Sequence, residues 1–311
     1  MEVFDLRTMQ KEESTVSPLS VALGNFDGVH TGHAALIREA AKYAKENGIR
    51  SAVWTFSDES AVLPNKPDVK CITSTKEKLE LIASLGVDYA ILENFEAVRS
   101  FAPEQFVIEY LKNKLGAVCA VCGFNFRFGA GGVGDAKALS SLMHPDHCIV
   151  VPPIHIDGIT VSSTEIRRMI ENGEMERAEK FLGHPFSVTA PVVEGKHLGR
   201  TIGIPTINQN FPRGHIIPGG GIYICRVEAE GKSYPGIANI GTRPTIKDDD
   251  HIINCETHII GYSGTLYGES VKVSFLKRLR DEMKFADVDA LGAQIRRDIS
   301  DTLAYFENIQ C

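Results

Sequence analysis

The chain has 311 residues, too many for one ordinary hydrophobic core, so two domains are expected. Its composition, 43% hydrophobic and 23% charged, is that of a folded globular protein, and no apolar run reaches the roughly 20 residues that span a bilayer. A net charge of −7 argues against a nucleic-acid partner, whose backbone takes an excess of Lys and Arg to grip, and the charged start "MEVFDLRTMQKEES" does not read as a secretory signal, so a cytoplasmic protein without a membrane partner is expected.

The first half alternates strand and helix. Strand-like "SVALGNF" (20–26) leads into "HAALIREAAKYAKENG" (33–48), where Leu36, Ile37, Ala40, Ala41 and Ala44 fall at helical spacing and Gly48 stops the run. "SAVWTF" (51–56) is the next strand, and "STKEKLELIASLG" (74–86) opens with a capping box, Ser74 to Glu77, and closes at Gly86. Then come "VDYAIL", the helix "PEQFVIEYLKNKLG" with Pro103 at its start, and the strand "AVCAVCG". Seven cysteines form no framework, and the CxxC of Cys119 and Cys122 lies in an apolar run without a second pair, so both read as small core hydrophobes. Repeated units of this length predict a parallel sheet covered on both faces, with ligands beyond the carboxyl ends of its strands.

"VSSTEIRRMIENGEMERAEKFLG" (161–183) reads as two short helices, and the grammar then changes. Pro and Gly punctuate short runs rich in Val, Ile and Tyr, such as "GGIYICRVEAEGKSYPGIANIG", with a tight turn at Glu230-Gly231. That pattern predicts an antiparallel sandwich or small barrel. One helix ends the chain, with Leu291, Ile295, Ile299, Leu303 and Phe306 on one stripe. The domains expected are therefore 1–183, which includes a helical linker over about 163–183, and 184–311.

Two constellations carry chemistry. In "ALGNFDGVHTGH" (22–33), glycines Gly24, Gly28 and Gly32 surround His30 and His33 where a strand runs into a helix. Free N–H groups at a helix start attract anions, and two imidazoles add donors. The residues alone leave three readings open: phosphate donors, structural histidines or metal ligands. The metal reading is the weakest, since a third ligand and the i, i+4 spacing of a helical zinc pair are both lacking. In "VSSTEIRRMI" (161–170), Ser162 is placed to cap a helix whose third residue is Glu165, with Ser163, Thr164 and Arg167 close by, a second phosphate cradle or an ordinary capped helix.

The second constellation is "VVEGKHLGRTIGIPTIN" (192–208), a loop punctuated by Gly195 and Gly199, with Lys196, His197 and Arg200. Thr206 and Asn208, two positions apart in an extended segment, face one side, and oxygen ligands with few carboxylates suit Mg²⁺ shared with phosphates. Glu256 in "NCE" is a lone acid among apolar neighbours, a candidate general base or an edge residue.

"GNFDGVHTGH" resembles the HxGH signature of the nucleotidyltransferase superfamily, in the form found in bacterial flavin adenylyltransferases. "GFNFRFGAGGVGD" (123–135) is similar to the second motif of that family and "VSSTEIRRMI" to its SSTxIR motif. The C-terminal half resembles the riboflavin kinase family in its GKHLGR loop, PTxN and NxE motifs and "LYGESVKVSFLKRLRDEMKF". From about residue 15 onward the chain thus resembles the bacterial bifunctional riboflavin kinase/FAD synthetases. Ile207 in place of the usual Ala, the altered loop at Glu194 and His197-Leu198, and Gly261 in place of a common Asp are departures from the pattern.

The resemblance implies a Rossmann-like, parallel-sheet nucleotidyltransferase domain followed by a small antiparallel β-barrel with a terminal helix. It implies that the C-terminal domain phosphorylates riboflavin to FMN with MgATP, and that the N-terminal domain joins FMN to AMP from a second ATP, releasing pyrophosphate. ATP, riboflavin and FMN are then small-molecule substrates, and Mg²⁺ is the one cofactor. Implied roles are His30 and His33 as catalytic donors; Gly24, Asn25, Phe26, Asp27, Gly28, Ser162, Ser163, Thr164 and Arg167 around ATP; and Asn125 and Arg127 at the flavin nucleotide. For the kinase they are Glu256 as base, Thr206 and Asn208 at the metal, and Gly195, Gly199 and Arg200 at ATP, with Arg280 a further candidate or a surface charge.

Overall fold

The computed structural model describes residues 1–6, 18–56, 69–195, 199, 203–242 and 253–309. Contacts divide the chain into two compact units, Met1–Ser163 and Thr164–Cys311.

The first unit holds a parallel sheet of β1 (Glu2–Asp5), β2 (Leu19–Leu23), β3 (Arg50–Phe56), β4 (Tyr89–Glu93), β5 (Ala117–Gly123) and β8 (His147–Val151), in the order β1-β4-β3-β2-β5-β8. Two short hairpins, β6 (Arg127–Phe128) with β7 (Gly134–Asp135) and β9 (His155–Ile156) with β10 (Ile159–Thr160), complete its strands. Alternation along the strands feeds two cores. Val21, Leu23, Trp54 and Ala120 meet helices α3 (Phe95–Val98), α4 (Gln105–Lys114) and α5 (Ala136–Met143). Ala22, Val53, Cys119 and Val121 meet α1 (Thr31–Asn47) and α2 (Thr75–Ser84), on the other side. This is the Rossmann-like arrangement expected.

The local signals act as read. Ser74 and Glu77 close a complete capping box, and Gly48, at φ 67°, returns its N–H to the carbonyl of Ala44. Cys119 and Cys122 are fully buried, and burial pushes the Cys119 thiol up to about 11, which makes it inert. The helix after Pro103 departs from the expected α pitch: α4 is a π-helix, whose end bonds Leu115 N–H to the Tyr110 carbonyl five residues back.

The second unit opens with α6 (Ser163–Glu171) and α7 (Met175–Leu182). Its core is a closed antiparallel barrel, β11 (Phe186–Val193), β12 (Ile207–Asn210), β15 (Ile253–Ile259), β14 (Lys232–Thr242), β13 (Gly221–Ala229) and β16 (Ser270–Arg280), in that order around the ring. The Glu230-Gly231 turn has φ of 49° and 72°, the pair a tight type I′ hairpin needs. Here packing and the boundary expected near 183 differ. Met175, Ala178, Phe181 and Leu182 are buried, and α7 lies on β16 and β11, so both helices group with the barrel.

The final helix, α8 (Val288–Ile309), is present, and its expected apolar stripe is half-buried at Leu291, Ile295, Ile299 and Phe306. Its buried residues are Gly292, Asp298 and Thr302, while Leu303 is 40% exposed. Asp298 accepts from Arg280 Nε at 3.1 Å and Nη2 at 2.7 Å, and from Gln294 at 2.9 Å. Arg280 is therefore not a loose surface charge. It ties the last strand to the last helix.

Candidate active sites

In the first unit the site is a loop at the carboxyl end of the central strand. Between β2 and α1 the backbone of Phe26, Gly28 and Val29 takes φ of 53°, 80° and 38°. Two of these are non-glycine residues in the left-handed region, a conformation that surrounding contacts must enforce. Those contacts are on hand. The Asp27 carboxylate accepts from the N–H groups of Ile72 at 2.9 Å and Thr73 at 3.2 Å, and Gly28 N–H donates to Thr73 Oγ1 at 3.0 Å. Ser163 Oγ donates to the Asp27 carbonyl at 3.1 Å. Asp27 is thus a staple across the loop.

His30 caps α1: its Nδ1 accepts the N–H of His33 at 3.1 Å. With Nδ1 an acceptor, the hydrogen of a neutral His30 ring sits on Nε2. The two rings stack, with centroids 3.5 Å apart and planes 13° from parallel, and Phe26 meets His33 edge-on at 5.2 Å. A side chain at Gly32 would touch the His30 ring at 3.2 Å, the physical reason for glycine inside the motif. Among the described residues no cluster of three His, Cys, Asp or Glu could hold a metal.

Strand β5 neighbours β2, so the segment after it opens on the same end of the sheet. There Asn125 and Arg127 are exposed, with Arg127 opposite Asp135 in the small hairpin. The N–H of Ala138 chiefly, with Arg127 and Lys137 assisting, holds the Asp135 carboxyl below the usual carboxylate range. Gly24 and Asn25 lead into the loop. Ser162 and Ser163 close the unit, whereas Thr164, exposed, and Arg167, half-buried, belong by contacts to the second one.

In the second unit the register assembles the site. Asn208 on β12 and Asn239 on β14 both pair directly with Glu256 on β15. Residues directly opposite share a face, so the three form a row across neighbouring strands. Between them in sequence, Gln209, Cys255 and Thr257 are buried and turn to the barrel interior. Asn254, two residues before Glu256, donates from Nδ2 to Asn208 Oδ1 at 2.9 Å and to Glu256 Oε1 at 3.4 Å. His258 Nδ1 bonds the Pro205 carbonyl at 2.8 Å, holding the start of the segment that carries Thr206. Gly195 lies against Asn208: an added Cβ would sit 2.2 Å from the amide nitrogen. Gly199 accepts at its carbonyl from Ile204 N–H at 2.8 Å, which folds the loop back toward Thr206. Arg200, Lys196 and His197 lie outside the described residues.

The structure adds two residues to the second unit's constellation that were not singled out in the sequence, Asn254 and Asn239. The Oδ1 atoms of both are buried with no hydrogen-bond partner among the described residues. For Asn254 the signal was present, since period-2 alternation puts it on the Glu256 face. For Asn239 it was not, because pairing between distant strands is not written locally.

Comparison with known proteins also finds two parts, with residues 166–181 outside both. The FAD synthetase family matches residues 12–165 and the riboflavin kinase family residues 182–306. A bifunctional riboflavin kinase/FMN adenylyltransferase of Listeria monocytogenes is 35% identical over 298 residues, covering 93% of this chain and 93% of that protein. The chain belongs to the bifunctional riboflavin kinase/FMN adenylyltransferase family. Another relative bearing that name, from Escherichia coli K12, is 36% identical over 286 residues, covering 89% of this chain and 90% of its own length. A crystal structure described as a macrolide-efflux protein from Streptococcus pneumoniae superimposes with a TM-score of 0.86 at 31% identity, covering 97% of this chain and 99% of that one. Among the described residues, no helix of this family member is long and apolar enough to cross a membrane.

Proposed function

We propose that this chain performs both reactions for which its family is named, one in each unit. The C-terminal unit transfers the γ-phosphoryl group of ATP to the ribityl hydroxyl of riboflavin, giving FMN and ADP. The N-terminal unit joins FMN to the AMP portion of a second ATP, giving FAD and pyrophosphate. The observation that carries the reading is the row Asn208–Glu256–Asn239 on one unit and the stacked His30–His33 pair on the other, two independent polar sites on separate cores.

In the kinase unit Glu256 takes the hydroxyl proton, while Gly195 and Gly199 let the loop lie close over the phosphates. Thr206 and Asn208 are the residues that would hold Mg²⁺. Their neutral oxygens suit a hard cation, the Oδ1 of Asn254, which bonds Asn208 through its amide nitrogen, is a buried oxygen without a partner among the described residues, and phosphate oxygens complete such a shell. When bound, the ion supplies positive charge beside the transferring phosphoryl group.

In the adenylyltransferase unit the attacking FMN phosphate is already ionised, so no strong base is needed. His30 and His33 supply donors toward the α-phosphate and the departing pyrophosphate. Ser162 and Ser163 grip the triphosphate, and Asn125 and Arg127 meet the flavin nucleotide.

Incubation with riboflavin and MgATP, followed by chromatography, tests the reading: both FMN and FAD should form. His30→Ala should abolish FAD and spare FMN formation, and Glu256→Ala should abolish FMN formation from riboflavin while sparing FAD formation from supplied FMN. Loss of both activities in either folded variant contradicts two independent sites.

A further inference from the structure

Lys78 in the first turns of α2 is 2% exposed, and nothing in the reaction as described uses it. An ammonium out of water persists only when its hydrogens find acceptors. The Nζ of Lys78 donates to the carbonyl of Asn25 at 3.3 Å and to that of Phe56. Those carbonyls stand at the carboxyl ends of β2 and β3, adjacent parallel strands paired Leu23 to Trp54. The Asn25 carbonyl also accepts from Thr55 Oγ1 at 2.8 Å. Two donors therefore converge on the peptide at which the chain leaves the central strand for the left-handed loop.

The loop is gripped at three points in sequence. Lys78 and Thr55 hold its entrance at Asn25, Ile72 and Thr73 hold its middle at Asp27, and His33 N–H holds its exit at His30 Nδ1. Phe26 and Val29, at positive φ, would relax toward ordinary backbone if one grip were lost, and His30 follows Val29 directly. Lys78 is also a fixed positive charge behind a surface that must receive a polyphosphate.

We propose that Lys78 is a positioning residue for adenylyl transfer. Through the Asn25 carbonyl it locks the strained loop in the one conformation that aims His30 and His33 at the reacting phosphates, while touching no substrate itself. The proposal rests on the adenylyltransferase reading of this unit.

The test is steady-state kinetics of FAD formation from FMN and MgATP by the full-length wild-type protein, Lys78→Met, Lys78→Arg and Thr55→Val, with riboflavin phosphorylation measured in each preparation. Methionine keeps the length and apolar stem but removes all three donors. The expected result for Lys78→Met is a fall in kcat of about 100-fold, the cost typical of lost preorganisation, with KM for both substrates changed less than fivefold. Thr55→Val, which removes the uncharged grip on the same carbonyl, should lower kcat about tenfold, and Lys78→Arg should recover part of the loss. Riboflavin phosphorylation should stay within twofold throughout. Wild-type kcat in folded Lys78→Met, a loss confined to KM, or unchanged kcat in Thr55→Val would overturn the proposal. If the wild-type protein makes no FAD from FMN, it is the reading of the unit that fails instead.

Discussion

Asn254 shows how much one amide can decide. It donates to Asn208 and to Glu256, so it sets the angle between a candidate metal ligand and a candidate base on a neighbouring strand. Removing such an orienting partner commonly costs about 10- to 100-fold in activity. Asn254→Ala should therefore lower riboflavin phosphorylation by about that factor and leave FAD formation from supplied FMN unchanged, as two separate product assays would reveal. At this scale motifs were informative about residues close in sequence. HTGH placed His30 and His33 together, and SST placed Ser163 beside the same loop. The partners of Asp27 lie 45 and 46 residues away, and Asn239 meets Glu256 only through strand pairing. Such contacts depend on register and topology, which a local pattern does not carry.

Among the elements, α8 and the start of β3 are held by charges that the hydrophobic pattern hides. The Arg280–Asp298 pair has side-chain exposures of 17% and 3%, so removing the cation strands a buried carboxylate. Arg280→Ala should destabilise the barrel unit by about 3 kcal/mol, read from urea denaturation, without a direct effect on substrate binding. The helix itself was legible from its period, but its polar anchors were not. The stripe of Leu291, Ile295, Ile299, Leu303 and Phe306 is half-buried except at Leu303, whereas the fully buried positions are Gly292, Asp298 and Thr302, which the stripe does not include.

Asp88 plays a comparable part for β3 and β4. Burial raises its pKa, but the N–H and hydroxyl of Ser51 and the Arg50 guanidinium outweigh that and hold the carboxyl below its ordinary 3.8. A carboxyl lowered in the folded state contributes stability that is present above the unfolded value and lost as pH falls through the folded one. Denaturation curves at pH 7 and pH 3 should therefore show a smaller drop in stability for Asp88→Asn than for the wild-type chain. The capping box of α2 and the strands around it were readable because each is a short-range signal, while this bond joins residues 37 apart.

For the molecule as a whole, two cores with two sites mean that FMN can leave one protein copy and be used by another. An equimolar mixture of His30→Ala and Glu256→Ala, each unable to make FAD from riboflavin, should regain FAD formation after a lag while FMN accumulates. Chromatographic time courses of the mixture against each variant alone check this, and no FAD from the mixture would mean that FMN is not exchanged. The change from α/β to all-β grammar was plain in the chain. Which unit takes residues 164–182 was not, because an amphipathic helix specifies that it needs a partner and not which one.

The barrel closes on itself, so every one of its strands has a neighbour on both sides. The sheet keeps two rims, β1 and β8, each bonded on one side only among the described strands. Rims are templates for foreign chains, and acids blunt the first of them, where Glu2 and Asp5 bracket the strand EVFD. β8, HCIVV, has no Asp, Glu, Lys or Arg and leaves Val150 43% exposed. Clumping on prolonged warming would thus start from β8, and a lysine in place of Val150 is the first change to make for a preparation that must keep.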